Sequence, residues 1–382
     1  MSAAGRSESE LEAALRDMDW TYRPQLPRSL EMGIGIVGAG EIVRGCHLPA
    51  YRMAGFRVVG IYDRDRAKAE ALAREFGIGH VFDSLEQLAS HPDVAIADIA
   101  VPAQFQADVV RQIVPYRLHI LCQKPLAESY SDALEIAAMC DRAGVKAAVN
   151  QQMRWAPGIQ ASRIAVKRGW IGTPYQGAIQ VHVNTPWEMW GWLARTERLE
   201  IMYHSIHYLD AIRYVLGRSP KAVFADGTRY PGAASVRGET RTTIQLLYED
   251  ETRGLVYDNH TNFADQDDWF ATFRFDGTEG IVKGTNGALY NYPIGQEDTV
   301  ALYSKKLQPH GWYAPVLEGR WFPHAFMGTM GELMLAIEED REPENSVADN
   351  LITMQTVFAA YRSMESGRAV ALDEIARAEH GR

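Results

Sequence analysis

With 382 residues and 46% hydrophobic side chains, the chain is long for one core and fits two domains of about 150 residues each. Its formal charge of −10 leaves no basic stripe to displace counterions from phosphates, which argues against a general nucleic-acid binder and for small-molecule chemistry. Cys46, Cys122 and Cys140 have neither paired nor metal-type spacing, so a reducing compartment is expected, with no disulfide framework and no metal site.

No apolar run reaches the ~18 residues that a membrane span needs, and the N-terminus is acidic and polar rather than charged and then apolar. The expected location is the cytoplasm, away from membranes. Residues 1–30 read as an N-terminal arm, with Leu11, Ala14, Leu15 and Met18 at helical spacing and a link through Pro24 and Pro27. Two readings stay open for it: a helix docked loosely on its own chain, or an arm packed on a neighbouring subunit.

From Gly33 to Arg44 an apolar run of strand length meets Gly38 and Gly40, and helix-forming residues beginning at Glu41 and Ile42 follow. Glycine at both positions lets a phosphate reach the amides of the turn and of the first helical turn. The third position of the dinucleotide fingerprint is Val43 rather than Gly or Ala. A second strand-like run ends in Asp63, about 25 residues past Gly38, where an acid suits an adenosine ribose. Asp63 favours NAD because a carboxylate repels a 2′-phosphate, while Arg64 and Arg66 beside it keep NADP open.

Strand and helix patterns alternate up to about Asn150, with strands near 33–37, 57–62, 95–101, 118–122 and 146–150, which predicts a parallel, doubly wound sheet. The runs ending in Val101-Pro102 and in Gln123-Lys124-Pro125 are expected to face the nicotinamide, because ligands of such sheets sit beyond the carboxyl ends of the strands. Past Asn150 the pattern becomes a helix near 158–169, strands at 175–184, 220–226, 241–249, 253–260 and 268–284, and helices at 199–216, 325–340 and 347–366. That order predicts an α+β domain on a large, mostly antiparallel sheet. The expected division is an arm to residue 30, a nucleotide domain at 31–152, a substrate-binding and oligomerisation domain at 153–372, and a tail at 373–382.

Gln123-Lys124-Pro125 and the later His207-Tyr208-Leu209-Asp210 resemble the glucose-fructose oxidoreductase, inositol dehydrogenase and MocA family, from about Met32 to Leu372 and including Ser346–Asn350 and Ser366–Val370. The resemblance implies a Rossmann domain followed by an open-faced sheet domain, NAD(P)-dependent oxidation or reduction of a sugar, polyol or cyclitol, and a homodimer or homotetramer. Family members carry Glu-Lys-Pro where this chain has Gln123, often a His where Gln106 stands, and commonly Asp-x-x-x-His where Tyr203 precedes His207. The cofactor contacts expected are therefore Gly38, Gly40, Glu41, Ile42, Asp63, Arg64, Val101, Pro102, Gln106, Gln123 and Lys124.

Lys124, at the end of a central strand, is expected to hold the reacting oxygen; a free lysine titrates near 10.4, so it acts as a charged clamp unless burial lowers that value. Tyr203, His207 and Asp210 fall at helical spacing on one face. His207 suits a general base at neutral pH, Asp210 either orients its ring or pairs with Arg213, and Tyr203 can donate a hydrogen bond to substrate. Trp187 and Trp190 offer flat faces to a sugar ring, and Arg154 is a further substrate contact or an interdomain ion pair. Two rival functions remain: an NAD-dependent glycosidase that oxidises its sugar transiently, and a metabolite-sensing regulator without turnover.

Overall fold

Ile34–Val37 forms the first strand, β1, buried along its whole length, as a strand covered on both faces by helices has to be. The computed structural model describes residues 8–230, 236–290 and 295–380. Around β1 lie β2 (Val58–Tyr62), β3 (His80–Val81), β4 (Ile96–Ile99), β5 (His119–Cys122) and β6 (Ala147–Val149), in the order β3-β2-β1-β4-β5-β6. All five pairings are parallel. The order reverses between β1 and β4, and in such sheets ligands bind beyond the carboxyl ends of the strands at that reversal.

Gly38 ends β1 at φ +109°, a conformation that side chains resist, and a Cβ there would lie 2.5 Å from the Ala100 carbonyl oxygen. The residue is therefore glycine for a reason internal to the sheet, the close approach of the chain beyond β4.

The chain divides into two compact units, and the division differs from the expected one. One unit comprises Pro24–Trp155, Phe322–Gln355 and Ile375–Arg382; the other comprises Met1–Arg23, Ala156–Trp321 and Thr356–Glu374. Where the sequence reading ran a second domain unbroken from 153 to 372, Phe322–Gln355 belongs instead with the parallel sheet. The cause is apolar packing: Phe326, Met330, Leu333 and Met334 of helix Ala325–Glu338 share one buried cluster with Ile34, Ile36 and Tyr51. A Cβ on Gly328 of that helix would come within 2.1 Å of the Trp155 Cγ, so the helix lies directly on that indole.

In the other unit nine strands run β14-β13-β12-β11-β7-β10-β9-β8-β15: β7 (Pro174–His182), β8 (Ala222–Thr228), β9 (Arg241–Leu247), β10 (Arg253–Asn259), β11 (Phe270–Gly277), β12 (Gly280–Thr285), β13 (Thr299–Ser304), β14 (Trp312–Tyr313) and β15 (Val370–Ala371). The pairing of β10 with β7 is parallel and the others are antiparallel. The single strand expected at 268–284 is the hairpin of β11 and β12, turning at Thr278 and Glu279. Exposed and buried residues alternate along β9 and β10, so one face is buried and the other open.

The N-terminal helix Glu8–Asp17 leads to Trp20, whose indole donates to the Ala161 carbonyl at 2.9 Å and sits edge-on to Trp170. The arm thus docks on its own chain; residues 1–7 of the arm and 381–382 of the tail lie outside the described residues. Among those described, no helix is long and apolar enough to cross a membrane.

Candidate functional site

At the glycine turn, the Ala39 amide donates to Asp63 Oδ2 at 2.7 Å and the Asp65 amide to Asp63 Oδ1 at 2.8 Å. The acid at the end of β2 is thereby fixed beside the turn after β1. A Cβ on Gly40 would meet nothing within 4 Å, so packing within the protein does not call for glycine there. The space suits a pyrophosphate on the amides of the turn, with Glu41 and Ile42 opening the helix behind it. Arg64 lies over the Phe105 ring at 5.0 Å, a cation–π contact that holds it at the rim of the β2 turn.

Beyond β4 and β5 the loop of Val101-Pro102 and the segment Gln123-Lys124-Pro125 follow, with a cis Lys124-Pro125 bond. Gln106 is fully buried, and its Nε2 faces the carbonyls of Gln123 (2.8 Å), Pro125 (2.7 Å) and Leu126 (3.2 Å). This corrects its expected place among the cofactor contacts: its amide is committed to bracing the Lys124 segment.

Gln123 is braced from the other side. The Lys124 amide can only donate, so the Gln123 Oε1 it meets at 2.8 Å is the acceptor and the Gln123 Nε2 is what reaches His47 Nε2 at 3.0 Å. Asn150 Nδ2 meets the same ring nitrogen at 3.1 Å. His47 Nε2 is therefore an acceptor, and the ring proton sits on Nδ1, donated to Asp98 Oδ2 at 2.7 Å. The Tyr51 hydroxyl donates to that oxygen as well, at 2.8 Å. Asp98, His47, Gln123 and the Lys124 backbone thus form one buried chain of hydrogen bonds, and His47 sits in a π-helical turn at Val43–His47, an irregularity frequent at functional sites. Sequence reasoning missed His47, Asp98 and Asn150. The available signal was Asp98, a lone acid within an otherwise apolar strand, which must find buried donors.

Lys124 keeps part of its surface, yet the protein packed around it pushes the amine from its usual 10.5 down to about 7 through desolvation. At that value it can exchange a proton near neutral pH as well as carry charge.

In the other unit, His207 is buried in helix Ile206–Leu216, its ring T-shaped to that of Trp321 with centroids 5.0 Å apart. Asp210 is also buried, and Arg213 Nη2 stands 3.5 Å from its Oδ1. Tyr203 lies in a second π-helical turn, Ile201–Ser205, which interrupts the regular spacing expected to join it to His207; Trp192 packs edge-on against it at 5.5 Å. Trp187 is buried against His204 and Trp190 half-buried. Arg154 is 3% exposed, donating to the Glu344 carbonyl and to Asp349 Oδ2, each at 2.6 Å. The expectation of a substrate contact there gives way to a structural ion pair that ties down the segment entering helix Val347–Ser366.

Also missed was a buried polar cluster of Glu200, Ser205, Thr242, Asp258 and His260. Burial, with Asp258 close by, raises the Glu200 carboxyl well above the usual range.

Glycine turn, β2 acid and six-stranded order together define a dinucleotide-binding domain. The family model described as "Oxidoreductase family, NAD-binding Rossmann fold" matches residues 32–151, and the GFO/IDH/MocA C-terminal domain matches 159–288. The chain belongs to the GFO/IDH/MocA family, and its first domain binds NAD. D-apiose dehydrogenase of Paraburkholderia graminis is 28% identical over 350 residues, 89% of each chain. 1,5-Anhydro-D-fructose reductase of Ensifer adhaerens is 28% identical over 89% of this chain and 98% of its own. An oxidoreductase of Agrobacterium radiobacter, solved with NAD+, L-tartaric acid and magnesium, superposes with a TM-score of 0.79 at 24% identity, over 90% of this chain and 99% of that one; at that identity the likeness is one of fold.

Proposed function

We propose that this protein oxidises a secondary hydroxyl of a sugar, polyol or cyclitol, or reduces the corresponding carbonyl. Bound NAD supplies the hydride acceptor or donor. In the oxidative direction Lys124 takes the proton of the substrate hydroxyl as the carbon gives up its hydride, and in the reductive direction it returns the proton to the carbonyl oxygen. The observation that carries this reading is the depression of the Lys124 amine to about 7 in a segment braced by Gln106 and Gln123. His207 is proposed as a second proton-transfer residue, Tyr203 as a hydroxyl donor to substrate, and Trp187 and Trp190 as an apolar wall for a ring. The sugar dehydrogenase and reductase activities of the two relatives above support the substrate class.

The test is a panel of pentoses, hexoses, anhydrosugars and cyclitols scanned for NADH absorbance. Stoichiometric accumulation of free NADH with one of them is expected; glycoside cleavage without net NADH would favour a transient-oxidation glycosidase instead, and binding without any turnover a sensor.

NAD is expected to bind at least about tenfold tighter than NADP, because the Asp63 carboxylate accepts ribose hydroxyls and repels a 2′-phosphate. Asp63→Asn keeps an oxygen for the Ala39 amide and removes the charge, so it should narrow the gap in a fluorescence titration. A parent that prefers NADP would sink the assignment.

A homodimer or homotetramer is also proposed. The open face of the nine-stranded sheet exposes Phe224, Tyr257 and Trp312, a load of aromatic surface that supports burial against a second copy. Light scattering at micromolar concentration should report at least twice the 42.7 kDa chain mass; a monomer would contradict it.

A further inference from the structure

The cluster around Glu200 holds an arrangement that the hydride-transfer reading does not use. Glu200 and Asp258 are both buried, and two hydroxyls bridge them. Ser205 Oγ lies 2.8 Å from Glu200 Oε2 and 2.7 Å from Asp258 Oδ2; Thr242 Oγ1 lies 3.0 and 2.9 Å from the same two oxygens. Each hydroxyl has one proton to donate, so two protons serve these four contacts. Among the described residues no lysine or arginine pairs with either acid, although buried carboxylates need a positive partner or a bound proton.

The positive partner can be a metal ion. His204, on the π-helical turn that begins one residue after Glu200, and His260, one residue past β10, stack ring on ring at 4.4 Å. One ligand atom from each of Glu200, His204 and His260 lies within 4.8 Å of the others. His260 Nε2 and Glu200 Oε1 are 3.7 Å apart. The other His260 nitrogen, Nδ1, meets the Thr185 hydroxyl at 2.8 Å. With the ring proton donated there, the Nε2 lone pair is directed at the carboxylate side of the cluster, the second contact that orients a ligating imidazole. The Tyr208 hydroxyl also approaches Nε2, at a longer 3.3 Å. A tetrahedral ion with bonds of about 2.0–2.1 Å spaces its ligands by about 3.4 Å, so closure asks for side-chain movements on the order of an ångström. Glu200 and His260 are fully enclosed while His204 keeps some exposure, which leaves one side for entry and for a further ligand.

We propose that Glu200, His204 and His260 bind one divalent transition cation of the zinc class, with a fourth position open to water or to an oxygen of a ligand. Two imidazole nitrogens and one carboxylate oxygen with an open position form the donor set of such ions; magnesium and calcium favour all-oxygen shells. The test uses the untagged full chain, stripped with chelator, dialysed, and titrated with zinc against a competing indicator, with elemental analysis of the loaded protein. One zinc per chain is expected, with an anomalous peak among the three residues in crystals of the loaded protein. His204→Ala should weaken zinc by more than about 100-fold, and Thr185→Val, which removes only the contact behind His260, by about 10- to 100-fold. Circular dichroism identifies a variant that has failed to fold, in which case Thr185→Val decides alone. Zinc, cobalt and manganese all failing to bind the parent, binding unchanged in folded variants, or uptake of magnesium alone would each overturn the site. None of these readouts depends on turnover, so the site and the hydride-transfer reading can fail separately.

Discussion

Replacing Lys124 with alanine is expected to lower turnover by about 10³-fold, the scale of a positioned acid–base group or of an oxyanion donor, while NAD affinity stays nearly unchanged. The nucleotide contacts are proposed to reside in the Gly38–Gly40 turn and in Asp63, which the Ala39 amide holds beside that turn, and Lys124 is no part of that turn. The pH profile separates the two roles open to the amine. As a base it must be neutral, so kcat/KM for oxidation should rise with pH and level off above about 7, and reduction, which needs the proton, should fall through the same value. Lys124→Arg sharpens the test, because a guanidinium keeps its charge at every relevant pH. If the amine is a base, Lys124→Arg should be as slow as Lys124→Ala. Substantial turnover in Lys124→Arg, with no limb near 7 in the parent, would make the residue a clamp.

His207→Ala should cost about 10²- to 10⁴-fold in kcat if the imidazole carries a proton in the reaction. Its ring is buried in a T-shaped contact with Trp321, so truncation also leaves a void and lowers the melting temperature; His207→Gln, closer in volume, controls for that. A shared fall in kcat for both variants, with KM and NAD affinity nearly constant, identifies a chemical role. Loss of stability with kcat preserved in His207→Gln would leave the residue a packing element, and a pH limb that survives in these variants belongs to Lys124.

The nucleotide end of the molecule was legible because its signals are local. A strand-length apolar run, two glycines one residue apart and an acid at the end of the next strand lie within about thirty residues, and alternation of strand and helix follows from hydrophobic period alone. The hydrogen-bond chain behind Lys124 was not legible, since His47, Asp98, Gln123 and Asn150 lie on separate elements whose meeting depends on strand order. Gln106 shows the same limit: a resemblance placed it near the cofactor, while three carbonyls of one loop determine what its amide does. The π-helical turns at Val43–His47 and Ile201–Ser205 escape any reading based on a 3.6-residue period. Cysteine spacing could not register the proximity of Glu200, His204 and His260 either, two of them one helical turn apart and the third beyond three strands. Strands β3, β13, β14 and β15 were missed, and all but β13 have only two residues each, too short for an alternation to register.

The return of Phe322–Gln355 to the parallel-sheet unit bears on inheritance and on protein engineering. Trp155 lies under a helix encoded about 170 residues further on, and Ile34 and Ile36 share a buried cluster with that same helix from about 290 residues before it. Helix Val347–Ser366 begins in one unit and ends in the other. A gene exchange that swaps the first 155 codons for those of a relative therefore keeps the old lid on a new floor. Gly328, with no room for even a methyl group against Trp155, is the position at which such a chimera would first fail to fit. Recombination that respects this architecture has to carry the distant segment along with the front of the gene, so nucleotide preference in this chain is more readily altered by point changes around Asp63 than by shuffling whole halves.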